Sequence, residues 1–344
     1  MALVAFRNWR TQHYPPKPTF TEEHVGPQNG RVFIVTGGNA GVGFELIKLL
    51  YTTGATVYMA SRSKERAEKS IGAITDAAPA LKNPGVVKFL HLDLGDLEVV
   101  KSAAASFARQ ESRLDVLWNN AGAGALSVPA GSRTEQGLEH MVGVHCVAAQ
   151  LFTHLLLPRL RAAVAAVAAA DGPGGSVRVV WTSSFLAESR APARGVDLGL
   201  LLGGRPAAGD RVRGYAQSKA GNWLLGREMA ARHGAEGIVS VTQNPGNVRA
   251  GSYAGVPALA MPIVDLLFLH ETRYGGYTEL YAGLSPEISL ENNGAYVVPW
   301  GRIRPDAECP RKDLVDAVKS VAEGGTGHAA SFWDWCEEQW RPFV

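Results

Sequence analysis

Cysteine and net charge are both scarce in this chain of 344 residues. The three cysteines, Cys146, Cys309 and Cys336, lie far apart and form no C-x-x-C pair. This spacing indicates free thiols in a reducing compartment rather than a disulfide frame or a zinc site. The formal net charge is +2, too small for the basic surface that binds nucleic acid or an anionic membrane. We therefore predict no metal site and no nucleic-acid partner.

Long uncharged apolar runs are missing as well. The N-terminus carries Arg7 and Arg10 but no apolar core of signal-peptide length. The longest apolar candidate, residues 256–269, contains two prolines and an aspartate and does not reach membrane-spanning length. We predict a cytoplasmic protein with no integral membrane segment.

What the chain does contain is an alternation of short apolar runs and helical patterns. The predicted strands are short and rich in β-branched residues, and they lie at 32–35, 55–60, 86–92, 115–119, 177–182, 238–242 and 295–299. Long helices are predicted at 135–158, 162–170 and 213–233. Strands that alternate with helices pair in parallel through right-handed crossovers. The prediction is an α/β fold with a doubly wound parallel sheet of about seven strands, flanked by helices.

The same pattern predicts a single domain. Residues 1–30 are polar and contain several prolines, and we expect them to form an N-terminal arm on the domain surface. Residues 31–344 then form the domain itself. Within it we expect a substrate lid at about 249–285 and a C-terminal extension at about 300–344.

The lid and an insert at 187–213 are predicted to surround the substrate. The insert is rich in glycine, arginine and leucine, and the lid combines an apolar helix at 256–269 with Tyr274, Tyr277 and Tyr281. Such a lining suits a bulky, mostly apolar small molecule. Each of these residues could equally serve only to cover the sheet.

A glycine turn follows the first predicted strand. The stretch V-F-I-V-T-G-G-N-A-G-V-G places Gly37, Gly41 and Gly43 between a strand and a helical pattern. A turn without Cβ atoms lets backbone N–H groups approach a pyrophosphate, and the helix N-terminus adds unpaired donors. The sequence therefore predicts a phosphate site, the alternative being a turn that merely connects two elements.

Tyr215 and Lys219 form a Tyr-x-x-x-Lys pair, which places them on one face of a helix. A nearby cation lowers the pKa of a phenol from about 10 towards neutral pH, where the phenol can act as a general acid or base. A chance pair on a solvated helix is the alternative. Ser183 and Ser184 follow the fifth predicted strand, where a hydroxyl can bond a substrate carbonyl or simply cap a helix.

In order and spacing, five pieces of the chain resemble the short-chain dehydrogenase/reductase family, closest in style to its retinol-dehydrogenase-like members. The pieces are T-G-G-N-A-G-V-G from Thr36, N-N-A-G from Asn119, the serine after the fifth strand, Y-A-Q-S-K from Tyr215 and N-P-G-N-V from Asn244. Two tail segments, at 291–302 and 332–336, look like fungal members. The resemblance implies a Rossmann-type fold and an oxidoreductase.

The resemblance also implies roles for individual residues. Tyr215 would be the general acid or base, Lys219 would hold the nicotinamide ribose and lower the tyrosine pKa, and Ser184 would polarise the carbonyl. His145 occupies the position of a catalytic asparagine, so we expect either a retained proton relay with greater pH sensitivity or a packed, non-catalytic histidine. The cofactor-binding residues would be Gly37, Asn39, Gly41, Val42, Gly43, Ser61, Arg62, Asp93, Leu94, Asn120, Ala121, Gly122, Tyr215, Lys219, Pro245, Gly246 and Val248.

The end of the second predicted strand indicates NADP(H) as the cofactor. NAD enzymes typically carry an acid there that binds the ribose 2′-hydroxyl. Here Ser61 is followed by Arg62, with Lys64 nearby. A guanidinium can hold a 2′-phosphate bidentately, which a carboxylate would repel. A solvated loop cation is the alternative.

Two other functions stay open. The same pocket could guide a non-redox step of secondary metabolism, such as a cyclisation, isomerisation or dehydration, with His145 as acid or base. The fold could also serve a non-catalytic, cofactor-sensing protein, although the intact Ser184, Tyr215 and Lys219 argue against this. Family members often pair through the two long helices, here near 135–170 and 213–233, so a homodimer is one expected assembly.

Overall fold

The computed structural model describes residues 2–78, 81–203, 210–250, 262, 265 and 268–344. An eight-stranded sheet forms its centre. The strands are Val32–Thr36 (β1), Thr56–Ser61 (β2), Val86–His91 (β3), Val116–Asn119 (β4), Arg178–Thr182 (β5), Val239–Gln243 (β6), Tyr296–Val298 (β7) and Arg302–Arg304 (β8).

The spatial order of the strands is β3-β2-β1-β4-β5-β6-β7-β8. Neighbouring strands from β3 to β7 pair in parallel, and β8 runs antiparallel to β7. The predicted doubly wound parallel sheet is therefore confirmed, with one strand more than expected. The eighth strand was not predicted because its sequence, R-I-R, contains no apolar run.

Helices cover both faces of the sheet. They are Ala2–His13 (α1), Gly41–Tyr51 (α2), Lys64–Asp76 (α3), Leu97–Gln110 (α4), His140–Val142 (α5), Ala148–Ala169 (α6), Phe185–Arg190 (α7), Leu198–Leu202 (α8), Arg211–His233 (α9), Thr272–Leu284 (α10), Lys312–Val318 (α11) and His328–Trp340 (α12). A π-helical segment, Gly143–Val147, joins α5 to α6.

The sheet divides the apolar core into two layers. Val32 and Ile34 belong to the layer covered by α4, α6, α9 and α12. Phe33 and Val35 alternate with these two residues along β1. They belong to the layer covered by α2, α3 and α10. Because successive side chains of a strand point to opposite faces, an apolar strand such as β1 serves both layers. Complete burial of each such side chain contributes about 1.5–3 kcal/mol.

In the described part of the chain, the segment His140–Ala169 is the one helical stretch that is both long and apolar enough to cross a membrane by length and composition. Its length and a mean hydropathy of 1.4 match those of a membrane span, but 78% of that window is buried inside the fold, as in a core helix. The helix starts later than the predicted residue 135, because 134–138 form a turn in which Thr134 N–H donates to Leu138 O. It also continues through Pro158. Buried neighbours such as Leu157 and Leu160 offset the cost of about 3 kcal/mol for an internal proline.

The N-terminal residues, which the sequence predicted only as a surface arm, include the twelve-residue helix α1. Three of its polar residues, Asn8, Gln12 and His13, are buried. Polar residues in the core leave no apolar periodicity, so this packing could not be predicted from the sequence.

Part of the predicted lid lies outside the described residues, including most of the apolar helix expected at 256–269. All three tyrosines assigned to the lid lie on α10; Tyr277 and Tyr281 are buried in the same core layer as α2, and Tyr274 packs against that layer. They cover the sheet rather than the substrate site. Tyr274 stacks on Trp300 at a ring-centroid distance of 4.5 Å.

Candidate active site

The predicted site residues come together at the carboxyl edge of the sheet. Each loop that follows a parallel strand begins at this edge, and the chain reverses its winding between β1 and β4, which is where ligands bind in such sheets. The loops are 37–40 after β1, 62–63 after β2, 92–96 after β3, 120–139 after β4, 183–184 after β5 and 244–250 after β6. Tyr215 and Lys219 lie in the first half of α9.

The glycine turn after β1 packs tightly against the loop after β4. A Cβ atom on Gly37, which has φ +68°, would lie 2.9 Å from Ala121 Cα, and one on Gly43 would lie 2.6 Å from Asn120 Nδ2. Asn120 Nδ2 in turn donates to Thr36 O at 2.7 Å. Glycine is required at both positions because no larger residue fits the approach of the two loops.

Helix α2 starts at Gly41, directly after this turn. Its N-cap residue is Ala40, whose methyl group cannot accept a hydrogen bond. The N–H groups of the first turn therefore have no side-chain cap, and they lie where an anion would bind. Beside the turn, Ser70 Oγ donates to Asn39 O at 3.0 Å and fixes the loop from α3.

The ends of β2 and β3 carry the residues predicted for the adenosine part of a cofactor. Ser61 is buried, and its Oγ has no hydrogen-bond partner among the described residues. Arg62 beside it is exposed. Asp93 Oδ1 accepts the Gly95 N–H at 2.9 Å, and Leu94 is buried. An unpartnered buried hydroxyl next to an exposed guanidinium fits a polar ligand at this position.

Ser184 and Tyr215 contact each other across the loop after β5. The Ser184 hydroxyl lies close enough to the Tyr215 phenol to lower its pKa as a hydrogen-bond donor, and its Oγ accepts the Leu186 N–H at 3.2 Å as the N-cap of α7. The neighbouring Ser183 points elsewhere and donates its hydroxyl to Lys219 O at 2.8 Å. Of the two serines, Ser184 is therefore the one that contacts the tyrosine.

The pKa of Tyr215 differs from the expectation. Burial raises it to about 12, an effect that the Ser184 hydrogen bond only partly opposes. Lys219 does not bring it down, since its Nζ lies 5.8 Å from the tyrosine ring centroid and donates to Thr182 O at 2.9 Å. Burial also lowers the pKa of Lys219 to about 8. The expected lowering of the tyrosine pKa by Lys219 is thus wrong for this arrangement, because burial dominates and only the Ser184 hydroxyl opposes it.

His145 is buried within the π-helical segment, and both of its ring nitrogens are engaged. Nε2 accepts the Ala123 N–H at 3.1 Å, and Nδ1 lies 2.8 Å from Ser218 Oγ. Since the Ser218 hydroxyl donates to Tyr215 O, the ring must carry its proton on Nδ1. Burial, together with the Lys219 charge, lowers the histidine pKa well below its usual value. This geometry favours a packed, neutral histidine over a titrating relay.

The loop after β6 is held in one conformation. Gly246 has φ +83°, and a Cβ atom there would lie 3.0 Å from Pro299 Cβ. The Gly246 N–H donates to Asn244 Oδ1 at 3.1 Å. Val248 is buried and forms a β-bridge with His270, just before α10. These contacts hold the predicted segment 245–248 in place at the end of β6.

Two buried groups near the site were not predicted. Glu279 on α10 accepts hydrogen bonds from Thr182 Oγ1 at 2.9 Å and Gln243 Nε2 at 2.7 Å. Burial raises the pKa of Glu279 to about 8. Gln12 on α1 accepts a hydrogen bond from Asn244 Nδ2. In the sequence, Glu279 and Gln12 resemble ordinary solvated polar residues. Nothing in the pattern around either residue predicts that it is buried.

A doubly wound sheet with a glycine turn at the point where its winding reverses, and a Tyr-x-x-x-Lys helix beside it, is the arrangement of a Rossmann-type oxidoreductase. Residues 31–193 match the family of short chain dehydrogenases. A short-chain dehydrogenase/reductase of Pestalotiopsis fici, iacJ, is 48% identical over 335 residues, 97% of each chain. Another, from Phomopsis amygdali, is 39% identical and covers 99% of this chain and 98% of its own. The chain belongs to the short-chain dehydrogenase/reductase family, and the resemblance to fungal members is confirmed.

Solved structures share the fold. A putative uncharacterized protein from Mycobacterium paratuberculosis aligns with a TM-score of 0.64 and 26% identity, covering 94% of this chain and 97% of its own. The NADPH-bound carbonyl reductase from chicken fatty liver aligns with a TM-score of 0.56 and 21% identity, covering 80% of this chain and 99% of its own.

Proposed function

We propose that this protein is an NADP(H)-dependent oxidoreductase that interconverts a carbonyl and an alcohol in a bulky, mostly apolar small molecule. The contact between Ser184 and Tyr215 carries this proposal. It lies at the same sheet edge as the glycine turn, so a ligand between the two would meet a hydroxyl pair and a phosphate site together.

The residues that would hold the cofactor are those of the glycine turn, the first turn of α2 and the loops after β2, β3, β4 and β6. The close approach at Gly37 and Gly43 and the unpartnered Ser61 hydroxyl fit a dinucleotide. Lys219 would hold the nicotinamide ribose, and the 245–248 loop would border the ring. The cofactor supplies the hydride, while the protein supplies geometry and the proton.

Arg62 is proposed to select NADP(H) over NAD(H). Its guanidinium is exposed beside Ser61 at the end of β2, where a carboxylate would be expected in an NAD enzyme. A phosphate on the adenosine ribose can accept paired hydrogen bonds from it. The chicken carbonyl reductase that shares the fold binds NADPH, which agrees with this choice.

Tyr215 is proposed as the general acid in carbonyl reduction. With its pKa raised to about 12, the phenol stays protonated across the neutral range and can deliver a proton to the developing alkoxide. Ser184 would donate to the same oxygen. The raised pKa favours the reductive direction, because oxidation of an alcohol needs the phenolate.

The surroundings of Tyr215 support an apolar substrate. Its ring packs with Ala125 and Met141, and Val128, Leu186 and Val212 lie against this group. A cavity that shares Val128 and Met141 with this group has a mixed lining, with Leu201 on the apolar side and charged residues such as Glu139 and Arg211 at its edge. A non-redox reaction would need a second free acid or base here, and His145, the residue expected to supply it, has both nitrogens engaged.

The test is NADPH consumption, followed by absorbance, against a panel of apolar ketones and aldehydes. We expect turnover by the natural protein and a loss of at least about 10²-fold in Tyr215→Phe, in line with general acid catalysis. Tyr51→Phe, at the far end of α2, is the matched control and should keep full activity. Full turnover by a folded Tyr215→Phe protein would refute the proposal. Product formation without NADPH oxidation would point instead to the non-redox alternative.

A further inference from the structure

Helix α1 lies against two elements that frame the site, the helix α7 that follows the serine loop and the loop after β6. Gln12, which is 2% exposed, donates from Nε2 to Glu188 Oε1 at 3.1 Å and accepts a hydrogen bond from Asn244 Nδ2. Glu188 lies on α7, the helix that Ser184 caps. Asn244 directly precedes the 245–248 loop. The Gln12 side chain thus connects α7, which begins at Ser184, to the loop that is proposed to border the nicotinamide.

We propose that α1 is part of the active site and that Gln12 is a positioning residue, which sets the spacing between the Ser184 loop and the 245–248 loop. The inference rests on the proposed function. It assigns a role to an N-terminal segment that lies outside the stretch matched to the family, residues 31–193.

The Gln12 amide is fully engaged and has a single orientation. Besides Glu188, its Nε2 donates to Asn8 Oδ1 at 3.1 Å, so both N–H groups of the amide are used. A rotated amide would place Nε2 against the Asn244 NH₂ group and its oxygen against the Glu188 carboxylate. The contact therefore fixes both loops at once.

A buried ion pair anchors this cluster. Arg304 Nη1 donates to Glu188 Oε1 at 2.6 Å and to Asn8 Oδ1 at 3.2 Å, and Asn8 Nδ2 donates to Glu188 Oε2 at 3.0 Å. Glu188 and Arg304 are both buried, and they neutralise each other. Since Glu188 has partners on α1 and β8, Gln12 can be changed without leaving the carboxylate uncompensated.

The end of α1 makes a second connection between the same two sides. The His13 ring packs edge-on against Phe185, the residue after Ser184, at a centroid distance of 4.6 Å. The His13 carbonyl lies 2.8 Å from His270 Nε2, and His270 is bridged to Val248. Two successive residues of α1 therefore span the site from the serine loop to the loop after β6.

The chemistry makes this spacing important. Ser184, Tyr215 and the nicotinamide must reach one carbonyl group, with reacting atoms about 3–3.5 Å apart. A displacement of about 1 Å, even from a residue remote from the reacting atoms, can cost about 10²-fold in rate. Gln12 acts through the loops and touches none of the reacting groups.

The experiment compares Gln12→Met, which keeps the side-chain length but removes the amide, with Arg10→Ala on the exposed side of the same helix. We expect Gln12→Met to lower kcat about 10–100-fold and to raise the primary isotope effect with NADPH deuterated at the transferred position. NADPH affinity should fall, while the affinity for 2′-phospho-ADP-ribose, which lacks the nicotinamide, should stay unchanged. Arg10→Ala should match the natural protein in all four.

If the natural protein turns over NADPH and Gln12→Met leaves kcat and the isotope effect unchanged, the proposed function stands and the inference about Gln12 is refuted. An equal loss of affinity for NADPH and 2′-phospho-ADP-ribose, with an unchanged isotope effect, would show a merely structural role and would also overturn it. If Gln12→Met does not fold, Gln12→Asn, which keeps the amide but shortens its reach, should show the same pattern in milder form. A natural protein that does not bind NADPH would refute the proposed function first, and this inference with it.

Discussion

The backbone N–H of Ala123 donates to Nε2 of His145 at 3.1 Å, which ties the loop after β4 to the π-helical segment beneath the site. On its other side the same ring contacts Ser218 on α9. The histidine at the expected asparagine position thus connects three elements around Tyr215. Its role in this geometry is to hold these elements together as a neutral ring.

The pH dependence of His145→Asn tests this role. Because burial lowers the histidine pKa, the unfolded chain binds a proton near pH 6.5 that the folded protein does not, so stability falls as the pH drops below about 6.5. We expect His145→Asn to show a smaller loss of Tm between pH 7 and pH 5. The pH–rate profile between pH 6 and 8 should keep its shape. Loss of an ionisation near pH 6.5 from that profile would show instead that His145 takes part in proton transfer.

Glu279→Gln should stabilise the protein at alkaline pH. The pKa of Glu279 is raised to about 8 by burial, so stability falls as the pH rises from the unfolded value of about 4.5 towards 8. The shift corresponds to a few kcal/mol, on the order of 1.4 per pKa unit. Glutamine keeps the acceptor for Thr182 and Gln243, and it carries no charge.

The measurement for Glu279 is Tm from pH 5 to 9. We expect the variant to melt above the natural protein at pH 8–9 and to show a flatter pH dependence. Glu338→Gln, an exposed acid on α12, is the control and should follow the natural protein. If the variant is equally destabilised at every pH, the carboxyl group is needed for packing, and its ionisation does not destabilise the folded protein.

The parts of the site that follow from short stretches of chain were predictable. Gly37 and Gly43 follow the first strand because a close approach to the loop after β4 permits no side chain, and Gly41 between them has φ +57°, which favours glycine. Tyr215 and Lys219 share one helix face because of their spacing alone. The parallel sheet followed in the same way from the alternation of apolar runs and helical patterns.

The parts that depend on distant partners were not predictable. Gln12 is buried because it bonds to Glu188, 176 residues away. Glu279 is buried because two strand ends, at Thr182 and Gln243, donate to it. The effect of burial on the Tyr215 pKa likewise depends on the whole surrounding core, whereas the sequence shows only the neighbouring lysine.

Arg62→Ala should reduce the preference for NADPH. A charge-assisted contact to the 2′-phosphate contributes about 1.5–3 kcal/mol, so the ratio of NADPH to NADH affinity should fall about tenfold to a hundredfold. Affinity for NADH should change little. Fluorescence titration with both cofactors gives the ratio, and Lys69→Ala, an exposed cation on α3, is the control. If the ratio of NADPH to NADH affinity is unchanged in Arg62→Ala, this guanidinium does not bind the 2′-phosphate.

The homodimer expected from the resemblance would use the outer faces of α6 and α9, and α12 lies on both. Gln150 Nε2 donates to Trp333 O at 3.2 Å, and Trp340 Nε1 donates to Gln150 Oε1 at 2.8 Å. On the α9 side, a Cβ atom on Gly221 would lie 2.9 Å from the Phe332 ring. A second chain cannot reach a face that the chain's own C-terminal helix already covers.

We therefore expect light scattering during gel filtration to give the mass of one chain at micromolar concentrations. Ala165→Glu places a charge on the exposed, alanine-rich end of α6, and it should leave that mass unchanged, because no subunit packs there. If the natural protein instead has twice the mass of one chain and Ala165→Glu returns it to a monomer, then the pairing uses this end of α6 in spite of α12.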